Sequence, residues 1–188
     1  MKIDITLCVT PKMIDEASEY EKMIFTGHLG THFDIMDKVF PLEYVERNGI
    51  VFLISPLEFE QEIGIEHIDT SLIEEGMFVA FCSSFIETVG YGTHEYFTKH
   101  PFLAQNLIEV LIEKHISIIG IDFAGIRPGK EHRMADQYCA NQNIFVVENL
   151  CNLKQILKDK SSANFQVYTF PMNFSGMTGL PCRVIAEV

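Results

Sequence analysis

Two rhythms of apolar and polar residues run along this chain. The unbroken apolar run at 77–82 and the largely apolar segments 116–121 and 144–147 read as buried strands. Residues 2–9, 50–54, 164–170 and 183–188 read as further strands. A helical rhythm sets in after Pro101, where Leu103, Leu107, Val110 and Leu111 form a core stripe over 102–114. Shorter helices are expected at 42–47, opened by Pro41 and closed by Asn48-Gly49, and at 71–75, 132–142 and 150–158. Residues 11–22 read as short helix or loop, Met23-Ile24-Phe25-Thr26 as a short apolar run, and 123–131 as a loop. Strand–helix–strand units in series predict parallel pairing at the centre, and the strands at the two ends of the chain predict antiparallel additions. The pattern is that of a mixed α/β sheet in one domain over 1–188, with no linker or internal repeat.

Composition narrows the class. The 188 residues are 47% hydrophobic, with fifteen Phe and no Trp, which is globular rather than disordered. The formal charge of −12 repels nucleic acid and anionic membranes, so neither is an expected partner. No apolar stretch approaches the length of a membrane span. The five cysteines, at 8, 82, 139, 151 and 182, form no CxxC pair and read as free thiols. Together with a start that reads as a strand, not a secretory signal, they lead to the expectation of a cytoplasmic protein.

One segment carries most of the chemistry: His28-Leu29-Gly30-Thr31-His32-Phe33-Asp34. Imidazole and carboxylate are the usual ligands of zinc or manganese. On a strand, positions 28, 30, 32 and 34 share a face. A fully extended strand, though, holds residues four apart at about 13 Å, too wide for two imidazoles on one ion. A bend near Gly30-Thr31 is therefore expected, at a residue tolerant of unusual dihedrals. The bland alternative is a polar turn. Two further carboxylates directly follow apolar strands, Asp122 and Glu148; each is either a site residue at a strand's carboxyl end or a helix or turn cap. His67, His94, His100, His115 and His132 lie in no ligand spacing with one another and read as structural.

These residues resemble the cyclase family of metal-dependent hydrolases, which includes kynurenine formamidase and isatin hydrolase. Its hallmark is His-x-Gly-Thr-His-x-Asp-x-Pro-x-His, matched by His28, Gly30, Thr31, His32 and Asp34. Likeness continues at His100-Pro101-Phe102-Leu103, Ile118-Ile119-Gly120-Ile121-Asp122, Val146-Val147-Glu148-Asn149-Leu150 and Gly179-Leu180-Pro181-Cys182-Arg183. The resemblance implies a three-layer β/β/α swivelling-type domain with a mixed, partly parallel central sheet. It also implies a homodimer or homotetramer with one or two divalent ions, Zn or Mn, and a small-molecule substrate. Carried over by motif, the ligands are His28, His32, Asp34 and Glu148; a fifth, His in the family, is here Asp136. The family's Pro and final His become Met36 and Lys38, and that His is the family's expected base. Lys38 starts near pKa 10.4, a poor base unless shifted, or else a fixed charge against an oxyanion. Two readings follow: an arylformamidase-like metal-dependent hydrolase of a small amide or cyclic amide, with Lys38 as the substitute catalytic group, or a catalytically degenerate metal- and small-molecule-binding protein of the same fold.

Overall fold

The computed structural model describes residues 1–17, 25–54 and 60–188. The expected continuation of the first helix over 18–22, and Met23-Ile24 of the apolar run, lie outside the described residues. In chain order the strands are β1 (Lys2–Asp4), β2 (His32–Asp34), β3 (Glu46–Leu53), β4 (Glu62–Ile63), β5 (Phe78–Cys82), β6 (Phe102–Leu103), β7 (Ile118–Ile121), β8 (Phe145–Glu148), β9 (Ser162–Pro171) and β10 (Gly179–Glu187). The α-helices are α1 (Pro11–Ala17), α2 (Phe85–Val89), α3 (His94–Thr98), α4 (Gln105–Glu113), α5 (His132–Asn141) and α6 (Leu153–Leu157).

The parallel centre is β3-β5-β7-β8, of which β5, β7 and β8 are the apolar segments, buried throughout. Antiparallel strands flank it, β9 beside β3 and β2 beside β8, and β10 pairs with both β2 and β9. That double pairing closes the sheet into a barrel, and β1 continues the β2 side of β10. Side chains alternate across this wall. Phe33, Phe78, Ala80, Phe145, Val147, Val167 and Val184 pack together inside, where α6 adds Leu153, Ile156 and Leu157. Val79, Phe81, Ile119, Ile121 and Val146 face the other way, onto Leu107, Ile108 and Leu111 of α4 and Ala135 and Cys139 of α5. Two walls of sheet and one outer layer of helix thus give the expected three layers. Burying a Phe or Ile side chain stabilises by about 1.5–3 kcal/mol, so both packed layers are strongly held.

Several boundaries differ from the sequence pattern: the first strand covers only Lys2–Asp4, a 3-10 turn at Thr70–Leu72 stands where a helix over 71–75 is expected, and the helix expected over 150–158 covers Leu153–Leu157. Asn48-Gly49 do not end a helix; a 3-10 turn covers only Leu42–Val45, and β3 runs straight through them. Gly49 is there because the Phe165 ring of β9 crosses it: a Cβ would sit 2.8 Å from Phe165 Cζ. Phe102-Leu103 are not helical either. They pair with β4, Arg127 lies over the Phe102 ring, and the helix starts at Gln105. All five cysteines are free, and among the described residues no helix is long and apolar enough to cross a membrane.

Candidate metal centre

The antiparallel register of β2 and β8 sets His32 directly opposite Glu148. Phe33 points into the barrel, so its neighbours His32 and Asp34 point outward, towards α5, as alternation requires. Asp34 Oδ1 lies 3.7 Å from His32 Nε2, and Glu148 Oε2 lies 3.6 Å from the same nitrogen. His28 arrives from outside the strand. Gly30 has φ 71°, and this bend brings His28 Nε2 to 3.0 Å from Asp34 Oδ1. The expected bend is therefore present, and the glycine is required twice over: a Cβ at position 30 would sit 2.5 Å from Val9 Cγ2.

The remaining wall is α5. Its Asp136 faces the cluster, and so does His132, a residue the sequence reading set aside. His132 Nε2 is 2.9 Å from Glu148 Oε1 and 3.2 Å from Asp136 Oδ2. Residues four apart share a helix face, so His132 and Asp136 point to the same place. The resemblance lacked an imidazole at position 136; the helix supplies one a turn earlier. Reading position 136 together with its i−4 neighbour would have found it. The groups lie around a chamber of about 510 Å³ lined by Thr26, His28, Asp34, Met36, His132 and Arg133, among others.

Three carboxylates and three imidazoles share this small volume, and they titrate unequally. Burial would raise Asp34, but attraction to His32 and the hydrogen bond from His28 hold it down at about 2. Asp136 goes well above its ordinary value, through burial and the charges of Asp34 and Glu148. Burial works against a charged His132, yet Glu148, Asp136 and Asp34 outweigh it and push the ring up to about 10. Asp34 thus takes the charge and Asp136 is driven towards the neutral form, as expected for facing buried carboxylates.

Two sets of donor atoms lie within 4.8 Å of one another: His28, His32 and Asp34, and Asp34, His132 and Asp136. His32 Nε2, Asp34 Oδ2 and Asp136 Oδ1 are buried with no hydrogen-bond partner. Buried polar atoms left unpaired are costly and rare. All three belong to residues of these two N/O donor sets, which share Asp34, and such sets fit a divalent cation.

Lys38 is placed differently from its expectation. It lines not this chamber but an adjoining cavity of about 780 Å³, with Phe40, Leu42, Met172 and Phe174 among its neighbours. Its ammonium pairs with Asp37 at 3.6 Å. The cause lies two residues earlier. Met36 has φ 57°, a conformation closed to the proline of the hallmark. The chain turns there, Lys38 N–H bonds to Ile35 O, and position 38 leaves the path that a proline would impose. Of the two strand-end carboxylates, Glu148 is in the cluster and Asp122 is in a turn. Asp122 accepts from the Ser83 and Ser84 amides at 2.8 and 2.6 Å and from the Ser83 hydroxyl, and burial raises it to about 7. His100 stacks on Phe123 and bonds to Pro101 O, a structural role.

The family model "Putative cyclase" matches residues 3–127. No curated protein matches. Among solved structures, a "predicted metal-dependent hydrolase from Bacillus stearothermophilus" superposes with TM-score 0.73 at 20% identity, over 99% of this chain and 97% of that one. A "Potential Metal-Dependent Hydrolase With Cyclase Activity" gives 0.70 at 21%, over 99% and 96%. Isatin hydrolase A from Labrenzia aggregata gives 0.69 at 21%, over 84% of this chain and 72% of its own. At these identities the likeness is one of fold.

Proposed function

The chain belongs to the cyclase family, and from that premise we propose that it is a metal-dependent hydrolase of a small amide or cyclic amide, arylformamidase-like in substrate. The observation that carries this reading is the convergence of His28, His32 and Asp34, with orphaned donor atoms, at a chamber of about 510 Å³. A zinc or manganese ion held by these three would polarise the substrate carbonyl and acidify a water. The chain's own groups do the rest. His132, not Lys38, takes the proton task, because it faces the chamber and its ring is gripped by Glu148 and Asp136. In the metal-free chain its ring is held protonated, which suits it to give a proton to the leaving nitrogen; it could take the proton of the attacking water only with a cation beside it to bring its pKa down. Met36 lines both cavities, and beyond it Phe40, Met172 and Phe174 offer an apolar seat for an aromatic leaving group. Lys38 is then a contact for that group. Val39 and Leu42, 88% and 82% exposed beside that cavity, are proposed to be covered by a second copy; light scattering showing a monomer at micromolar concentration would refute this.

The displacement of Lys38 favours a second reading, a binding protein that kept the ion and lost turnover. The test is metal content of the purified protein, followed by turnover of a panel of aryl formamides and cyclic amides after reloading with zinc or manganese. The hydrolase reading expects turnover that a chelator stops and that His132→Gln removes while the ion stays bound. Bound ion with no turnover leaves the binding reading; no bound ion removes both. Two ions per chain would make His132 and Asp136 ligands of the second, as the Asp34–His132–Asp136 cluster permits.

A further inference from the structure

His32 is aimed by neutral groups that the proposed chemistry does not use. Its Nδ1 lies 2.9 Å from Gly30 O. A carbonyl only accepts, so Nδ1 carries a proton, and in the neutral ring it is Nε2 that keeps its lone pair, directed at the cluster. The carbonyl that imposes this tautomer is itself held. Asn149 Nδ2 donates to Gly30 O at 2.8 Å. The amide cannot be flipped, because Oδ1 would then face the carbonyl oxygen. Oδ1 instead accepts from the Tyr96 hydroxyl at 2.7 Å. On the other side of the glycine, the Gly30 N–H donates to Tyr91 Oη at 2.9 Å. Asn149 is 2% exposed and Tyr96 fully buried, so no water competes for these bonds. Asn149 also has φ 60°, a left-handed conformation immediately after Glu148, which turns its side chain back across the β2–β8 pair.

We propose that Asn149, braced by Tyr96, is a positioning residue that fixes the tautomer and direction of His32 through the Gly30 carbonyl. The proposal rests on the metal-centre reading above for its purpose, but not for its first measurement. Groups that orient a ligating His in this way typically account for 10–100-fold in metal affinity. Tyr91 and Tyr96 bracket the start of α3, so this segment, remote from the chamber lining, is tied to the ligand geometry.

The experiment uses the full chain with Asn149→Gly, which keeps the left-handed backbone and deletes the amide, and with Tyr96→Phe, which deletes one oxygen. In metal-free protein, at a pH high enough for the His32 ring to be neutral, nitrogen-15 NMR of the histidine rings is expected to show His32 protonated at Nδ1 in wild type and as a tautomer mixture in Asn149→Gly. Zinc affinity, read against a chromophoric chelator, is expected to fall about tenfold or more in Asn149→Gly and by less in Tyr96→Phe. A His32 tautomer unchanged in folded Asn149→Gly overturns the proposal, whatever the zinc result. If Asn149→Gly does not fold, Tyr96→Phe decides, and wild-type zinc affinity in that variant overturns it. A wild type that takes up no zinc or manganese would instead sink the hydrolase reading, and the tautomer measurement would still judge Asn149.

Discussion

The candidate centre has two halves made of the same chemistry and held in different ways. His32, Asp34 and Glu148 stand on paired strands and are 2–3% exposed. Across from them His132 and Asp136 stand one turn apart on α5, and the His132 side chain is 36% exposed. On strands, position is set by register, and a shift of one residue would turn every ligand into the barrel. On a helix, two positions four apart reach the same spot, so the half built on α5 tolerates exchange of its residues. Strands make the site exact, and the helix leaves it room to vary.

The largest test removes the platform under the strand half. Phe33 is fully buried between His32 and Asp34 and packs on Phe40. Phe33→Ala is expected to cost about 3–5 kcal/mol, by denaturant melts, with or without a chelator present. An equal loss in an α5 surface variant such as Met134→Ala, 72% exposed, would erase the contrast between the halves.

His32→Ala comes next. An ion that binds only the folded chain adds about 2.7 kcal/mol when present at a hundred times its dissociation constant. For a chain of this size that is on the order of 5–10 °C in melting temperature. Chelator is expected to take this increment from the wild type and nothing from His32→Ala. A chelator-sensitive melt retained in the variant would show that the strand half does not anchor the ion.

The halves also differ in sign when metal-free. Asp34, held at about 2 against an ordinary 3.8, contributes about 2 kcal/mol of stability above about pH 4, lost as pH falls from about 4 to about 2. Asp136 is raised, so its contribution is present below 3.8 and is lost as pH rises through its folded value. In chelator at pH 7, Asp34→Asn is expected to lower the melting temperature and Asp136→Asn to raise it. At pH 4 the Asp136→Asn gain should vanish. Shifts of the same sign at pH 7 would refute the division of charge.

Much of this was legible in the residues. The apolar runs place β5, β7 and β8 because full burial on both faces leaves no polar phase in the pattern. The bend at Gly30 follows from the reach of two imidazoles. Other features depend on partners distant in sequence. Gly49 looks like a helix stop until the Phe165 ring is seen above it. Phe102-Leu103 join the helical stripe unless β4 is known to pair with them. The double pairing of β10 that closes the barrel leaves no local mark. Lys38 follows Asp34 by the family's spacing, but spacing fixes a destination only if the backbone between is the same, and Met36 at φ 57° is not a proline.

The smallest expected effect is the sharpest probe of the comparison. If the helix half reads only the face and not the position, then the double variant His132→Asp/Asp136→His, which restores an imidazole at position 136, should hold metal nearly as well as the wild type. A change of up to about tenfold in affinity, roughly 1.4 kcal/mol, is expected, because the two positions differ by a rise of about 6 Å along the helix, within reach of a His ring and a carboxylate exchanging roles. The same exchange on the strand, His32→Asp/Asp34→His, keeps composition and charge identical. There it should lose the ion altogether, because the imidazole would move off the Gly30 carbonyl and away from its partner across the register, Glu148. Calorimetric zinc titration of the two double variants side by side measures the difference directly. Equal losses in both would mean that the helix specifies its groups as strictly as the strands do, and that His132 and Asp136 are each suited to one position alone.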